Sequence, residues 1–261
     1  MAPVIAHRLR WGALAWLLTL QFFVVETVVQ VRFGGGYSRS ADVISALGGS
    51  TSPAAQLMNA SFVAQAALIL AGAVALRPLL RGTAGRIAVV LLALAAVGVL
   101  LVGVFPLDGN VTAHRAGAVL YLVGGGLGLI ALAYTLRPRS ELVGTALAVL
   151  GLIGTAGTVF FLTGVTSFLG EGGTERAAAY VLPIALALAG ATLWRSGADP
   201  AAATAARDER LAARARAREE KAEQDRLRDE ALEAAARRHE ATREQETADD
   251  DHWSTRVRPG D

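Results

Sequence analysis

The stretch Ile87–Phe105, which reads IAVVLLALAAVGVLLVGVF, decides the fold class of this chain. It contains no charged and no hydrogen-bonding side chain. An α-helix rises about 1.5 Å per residue, so about 20 apolar residues cross the hydrocarbon core of a bilayer, which is about 30 Å thick. The stretch therefore predicts a membrane-spanning helix.

Five further apolar runs of similar length lie on either side of this stretch. They fit a composition that is 53% hydrophobic, which is too apolar for an ordinary soluble domain. Together the runs predict an all-α integral membrane protein, with a six-transmembrane-helix bundle in residues 1–196. The predicted spans are residues 11–31, 54–76, 87–105, 116–136, 142–164 and 177–194.

Arginines near the span ends predict the orientation, because basic side chains are retained on the cytoplasmic side during insertion. A cytoplasmic N-terminus places eight arginines inside, namely Arg8, Arg10, Arg77, Arg81, Arg86, Arg137, Arg139 and Arg195. It places four outside, namely Arg32, Arg39, Arg115 and Arg176. The sequence thus predicts a multi-pass protein of the cell membrane with both termini in the cytoplasm.

Residues 197–261 form a charged C-terminal tail of very different composition. This tail is rich in Ala, Arg and Glu, which favour helix. A heptad that starts at Leu211 reaches Arg218 and Asp225, so the sequence does not support a coiled coil. We predict a solvated cytoplasmic tail that is partly helical and partly disordered, with a protein partner as a possible ligand of residues 200–246.

Several classes of function are disfavoured by composition. The chain has no cysteine, which excludes disulfides and thiolate chemistry, and only His114 among its histidines lies inside the six-span region. Metal and bis-histidine haem sites need more ligands than this, so neither a metal nor another cofactor is expected. No folded basic domain is present to bind nucleic acid.

Polar residues that the predicted topology brings to the outer side form the candidate site. Glu26 is the most informative, because an ionisable group within a span is costly unless it is paired. The outer ends of spans one, three and four, with the first outer loop, supply the rest. The candidate ligand-binding residues are Glu26, Asp42, Ser45, Asp108, His114 and Arg115.

Four interpretations of this cluster remain open, and because we expect a non-enzymatic function we assign no catalytic residue. Arg115 could neutralise Glu26 in a purely structural pair. The cluster could bind a lipid head group or a small solute, which is the non-enzymatic function that we expect. It could instead serve a hydrolase acting at the outer leaflet through Ser45, Asp108 and His114. A small-solute transporter is a further alternative.

Short motifs in these outer segments resemble a known family. They are Asp42-Val43-Ile44-Ser45-Ala46-Leu47-Gly48, Asn59, Val104-Phe105-Pro106 with Asp108, and His114 with Gly117-Ala118. Together they resemble the prokaryotic membrane proteins grouped as domain of unknown function family 998. Members often have Asn at the start of the loop motif and Asp after its Ser, where this chain has Asp42 and Ala46. The resemblance implies a multi-span membrane protein and no established activity.

Overall fold

The computed structural model describes residues 2–196 and 200–256, and the described elements are all helical. The α-helices are α1 (Ala2–Leu18), α2 (Gln21–Arg32), α3 (Ala55–Leu76), α4 (Gly82–Val104), α5 (Val111–Leu136), α6 (Glu141–Thr163), α7 (Glu171–Ala179), α8 (Val181–Ser196) and α9 (Pro200–Arg256). Short 3-10 helices cover Ile44–Gly48 and Arg77–Leu79. The predicted all-α fold is confirmed.

Six helical segments are long and apolar enough to cross a membrane, as the sequence predicts. The first consists of α1 with α2, and the last consists of α7 with α8. The other four are α3 to α6, whose ends lie within a few residues of the predicted spans except at the start of α4 and α5. This architecture is that of a multi-pass membrane protein.

The first span is interrupted, although its apolar sequence predicts one continuous helix. The amides of Leu20 and Phe23 bond three residues back instead of four, so the chain tightens around Thr19. The Thr19 hydroxyl donates to the carbonyl of Trp16 at 2.6 Å and to that of Pro183 at 3.1 Å. Pro183 follows the interruption of the last span at Tyr180. The two interrupted spans therefore meet.

The helices close into a ring around one core. Each span packs against the next along the chain, and α1 packs against α8, which joins the first span to the last. At the α4–α5 contact, a Cβ atom on Gly117 would lie 2.7 Å from the carbonyl oxygen of Gly98, so only glycine allows this approach. Large apolar side chains such as Leu142 and Val90 remain exposed on the outside, where lipid would cover them.

Residues 33–54 run across one end of this bundle, and we call them the strap. The strap joins α2 to α3 and contains the 3-10 helix Ile44–Gly48. It passes so close to the start of α7 that a Cβ atom on Gly172 would clash with the carbonyl of Asp42. The ends of α4 and α6 and the starts of α3, α5 and α7 lie at the same end of the bundle, which the arginine distribution predicts to be extracytoplasmic.

The chain separates into two compact units, Met1–Ala203 and Thr204–Asp261. The predicted boundary between membrane domain and tail falls at residues 197–199, outside the described residues. The long helix α9 covers residues 204–256 of the second unit, and its Leu211, Leu227 and Leu232 are exposed. Arg226 with Glu223 and Arg237 with Glu233 form exposed ion pairs along it. These features fit a solvated helix.

Candidate functional site

Glu26 lies fully buried in α2, as its position within an apolar span predicts. Its partner is Arg176 of α7, whose Nη2 lies 3.0 Å and whose Nε lies 3.2 Å from Glu26 Oε1. Tyr180 Oη lies 2.8 Å from Oε1 and 2.6 Å from Oε2 of the same carboxylate. Arg39, which is partly exposed on the strap, approaches Oε2 to 3.5 Å. The buried charge is therefore paired and hydrogen-bonded.

Arg176 also binds the strap. Its Nη1 donates to the carbonyl oxygens of Arg39 at 2.7 Å and Asp42 at 2.9 Å, and to that of Gly172 within α7 at 3.0 Å. Its Nη2 also donates to the hydroxyl of Tyr37. One guanidinium therefore holds the strap against both interrupted spans, and its donors are all used.

The Tyr37 hydroxyl completes this contact. It donates to the carbonyl of Val43 at 3.0 Å while it accepts from Arg176. Burial raises the pKa of Tyr37 to about 12, although the adjacent Arg176 acts in the opposite direction. The hydroxyl is therefore protonated and able to donate at neutral pH. We call Glu26, Arg176, Tyr180 and Tyr37 the clamp.

Arg115 does not belong to the clamp, so the interpretation that it neutralises Glu26 is wrong. Arg115 is exposed on α5, and the basic partners of Glu26 are Arg176 and Arg39. Asp42 does reach the clamp, but through its backbone carbonyl. Its carboxylate accepts from the backbone N–H of Ser38 at 2.7 Å and so shapes the strap itself.

A cavity lies beneath the strap, beside the clamp. Its polar lining comes from four elements, and Phe22, Phe62 and Leu122 contribute to its apolar wall. The polar residues that line it are Ser45, Gln65, His114, Tyr121 and Glu175. Two of the residues predicted from sequence, Ser45 and His114, thus line one cavity.

The size of the cavity limits what it can hold. Its empty space is about 470 Å³ when the open mouth is included, but only about 40 Å³ admits the centre of a water molecule. The smaller figure describes the enclosed part, because the larger one includes open solvent. Because each water also extends about 1.4 Å beyond its centre, the enclosed part holds a few waters.

Gln65 presents an unused donor to this cavity. The residue is 0% exposed, and its Nε2 has no hydrogen-bond partner among the described residues. The assignment of its amide atoms is fixed by Gln21, whose Nε2 donates both to the Ser61 carbonyl and to Gln65 Oε1, each at 3.3 Å. Because Gln65 Oε1 must accept there, its nitrogen is the atom left without a partner.

His114 presents an acceptor. Its Nδ1 lies 2.8 Å from the carbonyl of Phe105, and a carbonyl can only accept, so Nδ1 carries a proton. In the neutral ring this leaves Nε2 as an acceptor. His114 is 4% exposed, so this ring edge can meet little solvent except through the cavity. The Phe105 carbonyl at the end of α4 thereby sets the tautomer of a residue on α5.

Glu175 contributes a carboxylate from α7. Its Oε2 accepts the backbone N–H of Ile44, which joins it to the 3-10 helix of the strap. No basic side chain of the described residues lies within ion-pair distance of it, because the neighbouring Arg176 is directed at Glu26. Tyr121 also faces the cavity, and its hydroxyl donates to the carbonyl of Ala179 at 3.2 Å.

Asp108 and His114 form hydrogen bonds with different partners. Its Oδ2 accepts the backbone N–H of Ser50 at 2.6 Å and so anchors the far part of the strap. Hydrogen bonds from the side chain and backbone of Ser50 hold the pKa of Asp108 below its ordinary value. The orienting role that a hydrolase would give Asp108 is taken by the Phe105 carbonyl, so Ser45, His114 and Asp108 do not form a catalytic triad.

Several residues of this site were not predicted, and Arg176 and Glu175 are the most important. Both precede residue 177, where the predicted sixth span begins, so they counted as loop residues. The helix α7 in fact begins at Glu171. The signal that could have identified them is helical spacing, since Gly172, Arg176 and Tyr180 recur every four residues on one face.

These features define a class of protein: a multi-pass helical bundle with interrupted first and last spans, closed at one end by a clamped strap. Over residues 14–193 the chain matches the family described as "Protein of unknown function (DUF998)". The match covers more than half of the chain, so the chain belongs to this family, and the resemblance found in its motifs is confirmed. No curated protein and no solved structure matches the chain.

Proposed function

We propose that the protein binds a small amphipathic molecule in the cavity beneath the strap, at the extracytoplasmic end of the bundle. The observation that carries the proposal is the unpartnered Nε2 of Gln65, a buried side chain that lines an apolar-walled cavity. A buried donor without a partner costs about 1–3 kcal/mol. A bound molecule with an acceptor would remove that cost.

The clamp supports this function by fixing the roof of the cavity. Ile44 and Ser45 of the strap line the cavity, and the clamp holds the strap residues just before them. A site whose supporting groups are already hydrogen-bonded loses little entropy when a ligand binds. The clamp has no free donor on Arg176 for a ligand, so its role is positioning.

The enclosed volume favours a molecule, or the end of a molecule, with only a few heavy atoms. Space for a few waters cannot hold an acyl chain. Lipid therefore fits this proposal only through a small head group, and a small solute fits it entirely. Either would place its polar atoms against Ser45, Gln65 and His114 and its carbon atoms against Phe22 and Phe62.

Filling the cavity tests the proposal. Ala118 lines the cavity, whereas Ala116 is exposed on the same helix, so Ala118→Leu and Ala116→Leu are matched variants. Native mass spectrometry of protein taken from its membrane should find a small bound molecule in wild type and Ala116→Leu that Ala118→Leu lacks. No adduct in wild type, or the same adduct in all three proteins, would contradict the proposal.

Orientation needs its own test, because the extracytoplasmic position rests on the arginine distribution. The chain has no cysteine, so single cysteines have no background. Thr51 is exposed on the strap, and Thr83 is exposed at the opposite end, at the start of α4. A membrane-impermeant maleimide applied to intact cells should label Thr51→Cys and leave Thr83→Cys unlabelled. The reverse pattern would place the cavity in the cytoplasm.

Transport of a small solute is a second candidate, favoured by the two interrupted spans. Interrupted helices at a binding site are a recurring feature of secondary transporters. Here the interruption at Tyr180 lies in the clamp, and the interruption at Thr19 bonds to Pro183 of the last span. Thr19→Val removes the bond to the Pro183 carbonyl. If the interruptions serve transport, this variant should retain ligand and lose ligand uptake into proteoliposomes. Uptake equal to that of wild type would contradict a role of the interruptions in transport and leave ligand binding as the proposed function.

The tail supports a separate proposal, binding of a protein partner through residues 200–246. Its support is a long charged helix with exposed leucines. Deletion of residues 200–261 should remove co-purifying proteins while the cavity keeps its ligand. Unchanged co-purification would refute the partner.

A further inference from the structure

The cavity beneath the strap also carries information about the chemistry of its ligand. Resting on the proposed function, we infer that the ligand presents a small primary ammonium group with a neighbouring oxygen, as in an amino alcohol. The inference follows from the balance of donors and acceptors that line the cavity, from the placement of charge, and from volume.

Acceptors outnumber donors on the polar lining. His114 Nε2 accepts in the neutral ring, since Nδ1 uses its proton on Phe105. The Tyr121 hydroxyl uses its proton on Ala179, so toward the cavity it can only accept. The Glu175 carboxylate accepts as well once a cation beside it keeps it ionised. An ammonium group supplies three donors, which match these acceptors. A carboxylate ligand has no donor and could not satisfy them.

Glu175 is the acidic residue that lines the cavity. Both arginines near it, Arg176 and Arg39, pair with Glu26, and neither forms an ion pair with Glu175. Glu171, which is exposed on the same helix, adds a further acid. Among the described residues Glu175 has no ion-pair partner, although it lines the cavity. A cationic ligand would provide the missing partner.

Gln65 defines the second feature of the ligand. Its unpartnered Nε2 is a donor and needs an oxygen to accept, while the Ser45 hydroxyl can do either. An oxygen two bonds from the ammonium carbon would let one molecule satisfy acceptors and donor together. Ethanolamine has this arrangement, and its four heavy atoms suit a cavity that holds a few waters.

The same chemistry occurs free in solution and at the head of ethanolamine phospholipids. The enclosed part would take the ammonium and its two carbons in either case. The phosphate of a lipid would then remain in the mouth beside the strap. Both sources share the recognised group, and the experiment below separates them.

Thiol protection tests the inference on the full chain. Ala118→Cys places a thiol in the cavity wall, and Ala116→Cys is the matched exposed control. The rate of modification by methyl methanethiosulfonate is measured in phosphatidylcholine nanodiscs with ethanolamine, ethylene glycol or glycolate, which are similar in size and differ in charge. Ethanolamine should slow modification of Ala118→Cys about tenfold more than ethylene glycol, with no effect on Ala116→Cys.

Glu175→Gln provides the charge control, because its amide oxygen can still accept from Ile44. In this variant the preference for ethanolamine over ethylene glycol should disappear. If ethylene glycol or glycolate protects Ala118→Cys as well as ethanolamine does while Glu175 is unchanged, the ammonium inference is overturned, but the cavity still binds a small molecule. Protection by none of the three would overturn the proposed function itself. Ala179→Cys, on another part of the wall, repeats the measurement if Ala118→Cys does not fold.

Nanodiscs that contain phosphatidylethanolamine identify the source. Slow modification of Ala118→Cys in these discs without added amine would assign the ligand as the lipid head group. Protection by free ethanolamine alone would assign it as a solute.

Discussion

Arg176 Nη2 lies 3.0 Å from Glu26 Oε1, and neither side chain is more than 7% exposed. The two residues are 150 positions apart in sequence and join the first span to the last. A buried ion pair of this kind contributes little compared with an apolar pair, but removal of one partner leaves an uncompensated charge. Stability should therefore respond strongly to single substitutions and weakly to paired ones.

We expect Glu26→Gln to lower the free energy of unfolding by about 3–5 kcal/mol, because Arg176 stays charged and buried. The matched control is Glu141→Gln, which breaks an exposed pair with Arg137 and should cost about 0–1 kcal/mol. Denaturant unfolding in detergent measures both. If the two variants lose equal stability, the clamp is not a buried pair.

A double variant tests the identity of the partner. The double variant Glu26→Gln with Arg176→Met should be more stable than the single variant Glu26→Gln, in which Arg176 has lost its partner. Combination of Glu26→Gln with Arg115→Met should bring no recovery, since Arg115 is exposed on another helix. Recovery through Arg115 would instead support the pairing that the sequence predicts and the structure does not contain.

Tyr180→Phe should loosen the strap without unfolding the bundle. The variant removes a hydrogen bond to the Glu26 carboxylate, which is worth about 1.5–3 kcal/mol for a charged acceptor. Faster hydrogen exchange in residues 37–44 is the expected readout. Tyr134→Phe is the control, because Tyr134 is 68% exposed. Unchanged exchange in the strap of Tyr180→Phe would mean that the clamp does not hold it.

Gln65→Met should separate stability from binding. Without ligand, the variant no longer buries an unpartnered donor, so the thermal midpoint should rise by a few degrees. Ligand retention should fall, because the donor that recognises the ligand oxygen is gone. Gln56→Met, at an exposed position of the same helix, should change neither quantity. A loss of stability in Gln65→Met would show that Gln65 Nε2 has a partner in the resting protein.

The Asp108–Ser50 contact should make the strap sensitive to acid. The pKa of Asp108 is lowered in the folded chain, so this contact stabilises the fold above the ordinary carboxyl pKa and is lost as pH falls through the lowered value. Thermal unfolding followed from pH 6 down to pH 3 should show a drop below about pH 4 that is smaller in Asp108→Asn. The same drop in both proteins would assign it to other carboxylates.

Much of the fold could be predicted from hydropathy, because each span must be apolar for its whole length. Burial of Glu26 followed from the same rule. The interruptions at Thr19 and Tyr180 could not be predicted, since they depend on tertiary contacts such as the bond from Thr19 to Pro183. The partner of Glu26 was equally hidden, because four outer arginines were available and only packing selects Arg176.

The site was predicted in part for similar reasons. Ser45 and His114 were found because both lie in polar segments next to spans. Gln65 and Tyr121 were missed, since each is a single polar residue inside an apolar span and its direction depends on the rotation of its helix. Only the three-dimensional arrangement of α3 and α5 brings them to the cavity that holds Glu175.

Density in the cavity tests the central claim most directly. A cryo-electron microscopy map of the full chain, prepared in nanodiscs of its native lipids, should show a compact non-protein feature in contact with Gln65, His114 and Glu175. That feature should be absent from the map of Ala118→Leu. A wild-type cavity that contains only ordered water, or that is closed by repacking of Phe22 and Phe62, would contradict the account.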